Sequence, residues 1–405
     1  MRVSIKNFHN FLQIFIVIFC RILLCSLALI APSLLASATT TPSNPEATQQ
    51  AKAVQAYLAA LTNNDIDGVI AGQNVGHSDD IGNPSGLSGF SPLIDELKKK
   101  AGQMPGIIGV DYEHNQIATP EQLHNVNAYL INYWKQGGLI SINWSPHNPW
   151  WNDEKDIEKK PGIWSDSRSN GGDMGNVNLK ELLDPKSPMR KIWLRKLDRI
   201  AAALNELQRE NVVVLWRPMQ EMNGSWFWWG INSPPKDSEI YIAIWRDMYA
   251  YFTHTKQLNN LLWVYSPNPS PSIFERSLIK APLSFYPGDE FVDVVAGTAY
   301  NDELNIKDYE LYLKFAKPIA IAEYGPKAGE SISRKGSLDT LLYAKRLQED
   351  YPAIAYWMSW SSWSNGDGTQ ENQALIHNKN VKELLAAPTV ITRNRVEWQS
   401  YVKPI

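Results

Sequence analysis

Short apolar runs alternate with longer amphipathic stretches from about residue 51 to the end of the chain. Eight runs have the length and the β-branched content of buried strands. They are GVIAGQN (68–74), IIGVDY (107–112), GLISINW (138–144), VVVLWRPM (212–219), LLWVYSP (261–267), VDVVAGTAY (292–300), PIAIAEYG (318–325) and IAYWMSW (354–360). Between several of them, apolar positions recur at the three- and four-residue spacing of helices, as in 187–211, 241–257 and 337–350. The pattern predicts repeated strand–helix units around a parallel sheet.

The number of these units favours a closed barrel. Eight strand–helix units fit an α/β protein with a single (β/α)8 TIM barrel domain, predicted over residues 51–405. An open, doubly wound sheet is the alternative, but the chain lacks the glycine-rich phosphate turn that such sheets usually carry. Nearly every run ends in polar or aromatic residues: Gln73-Asn74, Asp111-Tyr112, Asn143-Trp144, Arg217 to Glu221, Tyr300, Glu323-Tyr324 and Trp360. In a barrel those ends meet on the face where active sites are built.

The N-terminus has the features of a secretory signal. Basic residues (Arg2, Lys6) precede an apolar region that ends in Ala36-Ser37-Ala38, a small-residue cleavage motif, so residues 1–38 are predicted to be a signal peptide. An uncleaved anchor is the alternative, which Arg21 within the apolar region disfavours. We therefore expect a secreted or periplasmic protein without stable membrane association after cleavage. The polar, turn-rich residues 39–50 are predicted to be a linker.

Composition narrows the possible partners and chemistry. A net charge of −3 and a pI near 6.2 provide no basic surface for nucleic acid. Cys20 and Cys25 both lie in the predicted signal, so the mature chain would contain no disulfide, thiolate metal site or cysteine nucleophile. The histidines lack the spacing of a zinc hydrolase, so neither a metal nor another cofactor is expected, and the histidines are interpreted as isolated. The 16 Trp and 17 Tyr suit both core packing and stacking against sugar rings.

Two glutamates follow predicted strands on opposite sides of the ring. Glu221 follows the fourth run and Glu323 ends the seventh, so the two side chains are expected to face each other across the barrel mouth. A pair of carboxylates about 5 Å apart supports retaining glycoside hydrolysis. For either glutamate alone a salt bridge is the simpler explanation. The aromatic residues of WRPMQEMNGSWFWWG (216–230) favour the catalytic interpretation for the pair.

These residues resemble a known family. VVVLWRPMQEMNGSWFWWG (212–230), NNLLWVYSPN (259–268), YPGDEFVDVVAGTAYN (286–301) and IAIAEYGP (319–326) are similar to glycoside hydrolase family 26, retaining (β/α)8 enzymes dominated by endo-β-1,4-mannanases. The resemblance implies that Glu221 is the acid/base and Glu323 the nucleophile, with a mannan-type polysaccharide as substrate. It also implies substrate-site roles for a further set of residues: Trp144, His147, Arg217, Gln220, Trp226, Tyr300 and Trp360.

Within that set the resemblance implies distinct positions. Arg217 and Tyr300 are expected beside the nucleophile, Trp360 under the sugar at the cleavage point, and Trp226 on the leaving-group side. A monomer is expected.

Two positions depart from the family pattern. The family usually carries histidine directly before the acid/base, where this chain has Gln220. The family also tends to show Trp-His after the third strand, where this chain has Trp144-Ser145; either His147 takes that place from two residues on or the contact is lost. Both changes leave other β-glycans open as substrates, namely β-1,3-xylan, mixed-linkage glucan or a bacterial exopolysaccharide. A weakly active carbohydrate-binding barrel is a further alternative, which the presence of both glutamates disfavours.

Overall fold

The computed structural model describes residues 37–77, 87–114, 117–151, 162–165 and 176–403. In chain order, the strands are β1 (Val69–His77), β2 (Ile107–Asp111), β3 (Leu139–Trp144), β4 (Val214–Pro218), β5 (Leu261–Tyr265), β6 (Val294–Tyr300), β7 (Ile319–Gly325), β8 (Ile354–Ser359), β9 (Trp363–Ser364), β10 (Gln370–Glu371) and β11 (Val390–Ile391). The α-helices are α1 (Gln49–Thr62), α2 (Glu96–Ala101), α3 (Pro120–Lys135), α4 (Pro188–Arg209), α5 (Ser238–Ala250), α6 (Tyr309–Tyr312), α7 (Ser331–Lys335), α8 (Leu341–Asp350) and α9 (Val381–Ala386).

Strands β1 to β8 form a closed parallel barrel. Each pairs with the next in chain order, and β8 returns to β1 with Ile70 opposite Tyr356 and Gln73 opposite Ser359. The short β11 adds to the start of β1, and β9 pairs with β10 in a separate antiparallel ladder. All eight predicted strands are present, and the predicted (β/α)8 barrel is confirmed. Their alternation with helices gives the closed parallel topology because each crossover returns the chain to the same end of the sheet.

Helix α4 shows how the sequence forms the outer layer. Ser187 precedes it, and the Ser187 hydroxyl accepts the amide hydrogen of Met189 at 3.1 Å, which satisfies one of the free N–H groups at the helix start. One face of α4 is buried through apolar residues at three- and four-residue spacing: Trp193, Leu197, Ile200 and Leu204. Burial of each such side chain contributes about 1.5–3 kcal/mol relative to leaving it exposed.

Tryptophans fill much of the space around β3 and β4. Trp144 on β3 stacks on Trp193 of α4 at 5.4 Å between ring centroids, and on Trp216 of β4 at 6.2 Å. All three are fully buried. Large aromatic side chains bury more apolar area than other residues, so this cluster fixes helix α4 against the barrel.

The segment predicted to be a linker, residues 39–50, lies against the barrel in the structure. The amide of Thr39 donates to the carbonyl of Ala316, and the amide of Ser43 donates to the carboxylate of the buried Asp293 at 2.5 Å. Thr48 then caps helix α1. Residues 1–36 of the predicted signal peptide lie outside the described residues. Among the helices that the structure describes, none has the length and apolar character needed to cross a membrane.

Candidate active site

The loop after β4 carries the first carboxylate in a strained conformation. Met219 and Glu221 have positive φ angles of 49° and 56°, a region that residues with side chains rarely adopt. Holding a residue there costs on the order of 1–3 kcal/mol, so surrounding contacts must enforce it. One of these is the hydrogen bond from the Glu221 amide to the carbonyl of Ser266 at 2.8 Å. The loop thereby holds the Glu221 side chain at the carboxyl end of the barrel.

The Glu221 carboxyl is only partly exposed and has an aromatic partner. The indole N–H of Trp226 donates to Glu221 Oε2 at 2.8 Å. The pKa of Glu221 is raised to about 7. Burial is the largest cause and the nearby charge of Glu323 the second, and the Trp226 hydrogen bond opposes the rise. A carboxyl with such a pKa is protonated for much of the time near neutral pH, as a general acid must be.

Glu323 lies near the end of β7 with both carboxylate oxygens paired. Arg217 Nη2 donates to Oε1, and the Tyr300 hydroxyl donates to Oε2 at 2.9 Å. The register of β7 against β6 shifts just before this residue, since Gly297 lies opposite Ile321 and the next residue of β6 lies opposite Glu323. Such bulges re-aim side chains beside active sites. A donor on each oxygen fixes the orientation of the Glu323 carboxylate.

Arg217 connects the strands that meet at the site. It is 1% exposed, and its guanidinium also donates to Asn143 Oδ1 at 2.7 Å and to the Ser266 hydroxyl at 3.0 Å. These bonds tie together the ends of β3, β4, β5 and β7. A planar guanidinium presents its donors in a fixed fork, so Arg217 both neutralises and orients Glu323.

Two of the predicted aromatic residues remain partly exposed at the barrel mouth. Trp360 directly follows β8, and the Arg217 guanidinium lies 5.9 Å from the centre of its ring. Trp226 lies beside Glu221. The structure therefore brings Glu221, Glu323, Arg217, Tyr300, Trp226 and Trp360 together around one opening.

Three other predicted site residues are enclosed by protein. Trp144 is fully buried, and its indole N–H donates to Glu113 at 3.0 Å. His147 and Gln220 are each 2% exposed. His147 contacts the carbonyl of His114 through Nε2 at 3.0 Å. All three side chains are therefore buried in this structure, Trp144 against Trp193 of helix α4.

A buried hydrogen-bond network behind the site was not predicted. The Ser145 hydroxyl donates to Asp111 Oδ2 at 2.7 Å, and the side-chain amide of Gln220 donates to Ser145 Oγ at 2.8 Å. Burial raises the pKa of Asp111 to about 8, and the Ser145 hydrogen bond limits the rise. Asp111 and Gln220 both lie at or just after strand ends. That shared position is the one feature of the sequence that could have predicted their proximity. Ser145 and Gln220 occupy the two positions that depart from the family pattern, and here they bond to each other.

The histidines expected to be isolated include a stacked pair. The rings of His77 and His114 lie parallel with 3.9 Å between centroids, and His77 meets the edge of Trp360 at 6.4 Å. Burial and the neighbouring His114 lower the pKa of His77. The interpretation of these two residues as isolated was wrong, since it could not anticipate that the ends of β1 and β2 bring them together. Within the described ranges, no group of three or more His, Cys, Asp or Glu residues is arranged to hold a metal ion.

The chain is similar to proteins of a known family. A family model described as glycosyl hydrolase family 26 matches residues 43–395. The mannan endo-1,4-beta-mannosidase A and B of Caldalkalibacillus mannanilyticus is 36% identical over 332 residues, which cover 80% of this chain and 58% of that protein. The match therefore spans less than two thirds of that relative. A mannan endo-1,4-beta-mannosidase of Bacillus subtilis is 32% identical over 357 residues, covering 86% of this chain and 90% of the relative.

A solved structure of a Bacillus subtilis mannanase has a TM-score of 0.70 and 27% identity, covering 87% of this chain and 95% of that one. The predicted enzyme class, a mannanase-like glycoside hydrolase, is confirmed by these relatives. The chain belongs to glycosyl hydrolase family 26.

Proposed function

We propose that this protein is an exported, retaining endo-β-1,4-mannanase that hydrolyses mannan-type polysaccharides by double displacement. Glu323 is the nucleophile and Glu221 the acid/base. The observation that carries the proposal is the difference between the two carboxyls. One carboxylate is held in orientation by two donors, and the other carboxyl has a pKa raised to about 7. Retaining hydrolysis requires an oriented nucleophile and a second carboxyl that can hold a proton near neutral pH.

The first step uses both groups at once. A carboxylate oxygen of Glu323 attacks the anomeric carbon, the bond from that carbon to the leaving sugar's oxygen breaks, and Glu221 transfers its proton to that oxygen. The Glu323 charge is lost in the resulting ester. Because that charge contributes to the raised pKa of Glu221, forming the ester lowers this pKa and suits Glu221 to act next as a base.

In the second step Glu221 takes a proton from water. The water oxygen bonds to the anomeric carbon, the ester bond to Glu323 breaks, and both carboxyls return to their starting states. Trp226 supports the ionised form of Glu221 during this step through its indole N–H. Arg217 and Tyr300 donate hydrogen bonds to the regenerated Glu323 carboxylate.

The substrate is tested with a panel of polysaccharides. The protein is incubated with mannan, glucomannan, lichenan and β-1,3-xylan, and new reducing ends are measured for wild type, Glu221→Ala and Glu323→Ala. Glu330→Ala is the control, because Glu330 is an exposed carboxylate that forms a surface ion pair with Lys327. We expect release from mannan and glucomannan that both active-site variants lose and the control keeps. If reducing ends are released from lichenan or β-1,3-xylan alone, that polysaccharide and not mannan is the substrate.

The mechanism is tested by stereochemistry. Proton NMR of the first products should show the β-anomer, and azide added to Glu323→Ala should give a glycosyl azide of inverted configuration. An α-anomer as the first product, or azide rescue of Glu221→Ala with inversion instead, would contradict the assigned roles.

A different β-glycan is the second candidate substrate, with the same chemistry. It is favoured by Ser145 and Gln220, which stand at positions where the family usually has histidine. These two residues form a hydrogen-bond network with Asp111.

The proposal that the protein is exported rests on the N-terminal sequence. The mature chain should begin near Thr39, which N-terminal sequencing of protein from the culture medium or periplasm would test, and gel filtration should show a monomer.

A further inference from the structure

An exposed apolar cluster lies in the long loop between β5 and β6. Ile273 is 69% exposed, Phe274 is 88% exposed and Leu278 is 51% exposed. We call these three residues the apolar rim. Isolated exposed apolar residues are common, but several large ones within six positions indicate a surface that is covered when the protein works.

The C-terminal end of the rim segment is fixed to the loop that carries Glu221. The amide of Lys280 donates to the carbonyl of Asn223 at 2.7 Å, and the Asn223 side chain donates back to the carbonyl of Lys280 at 2.9 Å. Ile279 and Gly224 form an antiparallel bridge. The rim is therefore joined by backbone pairing to residues two and three positions after Glu221.

The same asparagine also holds the start of the loop. Asn223 is fully buried, and its side-chain oxygen accepts the amide hydrogen of Asn268 at 2.7 Å while its side-chain nitrogen donates to the Asn268 carbonyl at 3.0 Å. Ser270 then donates its amide and hydroxyl to the carboxylate of Asp308 at 2.6 and 2.5 Å. Both ends of the rim segment are thus anchored on the acid/base loop through Asn223, and the start is also held by Asp308.

Consecutive turns keep the segment compact between its anchors. The Ser272 amide donates to the Glu275 carboxylate at 2.9 Å, and the Leu278 amide donates to the Glu275 carbonyl at 2.8 Å. A segment held in this way presents its apolar side chains from a stable backbone, so little conformational entropy is lost when they bind a partner.

We propose that the apolar rim binds the leaving-group part of the polysaccharide chain, beyond the sugar that Glu221 protonates. The inference rests on the proposed function and extends it to a distal subsite. The attachment to the Glu221 loop places the rim on the acid/base side of the cleft, where Trp226 also lies. Pyranose rings have apolar faces that pack on aromatic and aliphatic side chains, so a sugar chain leaving the cleft on that side can cover the rim.

The proposal predicts an effect that depends on substrate length. Phe274→Ala should raise KM for soluble galactomannan by about 3- to 10-fold, the loss expected for one aromatic stacking contact, with kcat unchanged. Hydrolysis of an aryl β-mannobioside, whose leaving group is too short to reach the rim, should stay at the wild-type rate. Ile273→Ala combined with Phe274→Ala should increase the KM effect further.

Leu342→Ala provides the matched control. Leu342 is 56% exposed on helix α8, an element at the outside of the barrel, and should behave as wild type on both substrates. Binding is measured separately by sedimentation with insoluble mannan, using Glu323→Gln as the background so that the polymer is not degraded. We expect Phe274→Ala to reduce the bound fraction in this background and Leu342→Ala to leave it unchanged.

Several outcomes would overturn the proposal. These are equal KM values for wild type and Phe274→Ala on galactomannan, an equal loss on the aryl substrate, or unchanged adsorption to mannan. A second copy of the chain could cover the rim instead of the polysaccharide, and light scattering tests this alternative. It would be supported if the wild type is a dimer, Phe274→Ala is a monomer, and both have the same KM for galactomannan. If wild type cleaves a different β-glycan, the mannan assignment fails independently, and the rim is tested on that glycan with the same variants.

Discussion

Removing the charge of Glu323 should lower the pKa of Glu221. Glu323→Gln keeps the size of the side chain and removes its negative charge. Charges about 5 Å apart, as in retaining pairs, interact by about 0.8–3.3 kcal/mol at an effective dielectric constant between about 80 and 20, which corresponds to roughly 0.6–2.4 pH units. The pKa of Glu221, raised from 4.5 to about 7 in the native protein, should therefore fall by about that amount. It should stay above 4.5, because burial is the larger cause of the rise.

Carbon-13 NMR gives the pKa directly and does not need activity. Protein labelled at the glutamate side-chain carboxyl carbon is titrated from about pH 4 to pH 9, and the signal that titrates near neutral pH is assigned by its loss in Glu221→Gln. Removing a nearby negative charge stabilises the ionised form of Glu221, so the midpoint of its titration can only move to lower pH. An unchanged midpoint would refute the reasoning, because it would mean that the two carboxyls do not interact across the barrel mouth.

Three further substitutions address the partners of the two carboxyls. Trp226→Phe removes the donor to Glu221 and should move the basic limb of the kcat/KM profile upward by about 1 pH unit; an unmoved limb would contradict this. Tyr300→Phe removes one donor to Glu323 and should lower kcat/KM about 10- to 100-fold with the melting temperature little changed, measured by kinetics and circular dichroism. Arg217→Lys keeps a charge but carries its three donors on one nitrogen, which cannot replace the spread of Nε, Nη1 and Nη2 to Asn143, Ser266 and Glu323. Both kcat/KM and melting temperature should therefore fall; near-wild-type values would show that charge alone suffices.

The raised pKa of Glu221 links the strained loop to its chemistry. A left-handed backbone at Glu221 is maintained by the hydrogen bond to the Ser266 carbonyl and by the neighbouring Asn223, which joins the loops after β4 and β5. Natural proteins keep such conformations mainly where function depends on them. The acid/base and the apolar rim thus share one structural support, so substitutions at Asn223 would disturb both.

Much of the fold could be predicted from sequence because strand and helix patterns are local. The eight apolar runs have a length and composition that distinguish buried strands, and each run ends close to where the observed strand ends, as at Ile107–Asp111 and Ile319–Gly325. Polar residues cannot lie inside the barrel wall without partners, so their positions at strand ends already indicated the functional face.

Burial around the site could not be predicted in the same way. Trp144 and His147 are predicted at the substrate site, and the structure buries both side chains. Whether a side chain next to a strand end faces the cleft or the helix layer depends on packing between segments far apart in the chain, which no local pattern records.

The sequence by itself determined the alternation of strands and helices, the placement of Glu221 and Glu323 at strand ends, and the family of the chain. Only the tertiary structure decided how each carboxyl behaves. Arg217 and Tyr300 pair with Glu323, burial and the Glu323 charge raise the pKa of Glu221, and a bulge in β7 lies beside Glu323. The reason is physical: strand formation follows from short-range periodicity, whereas a carboxyl's charge state depends on the field and solvation created by groups that only folding brings together.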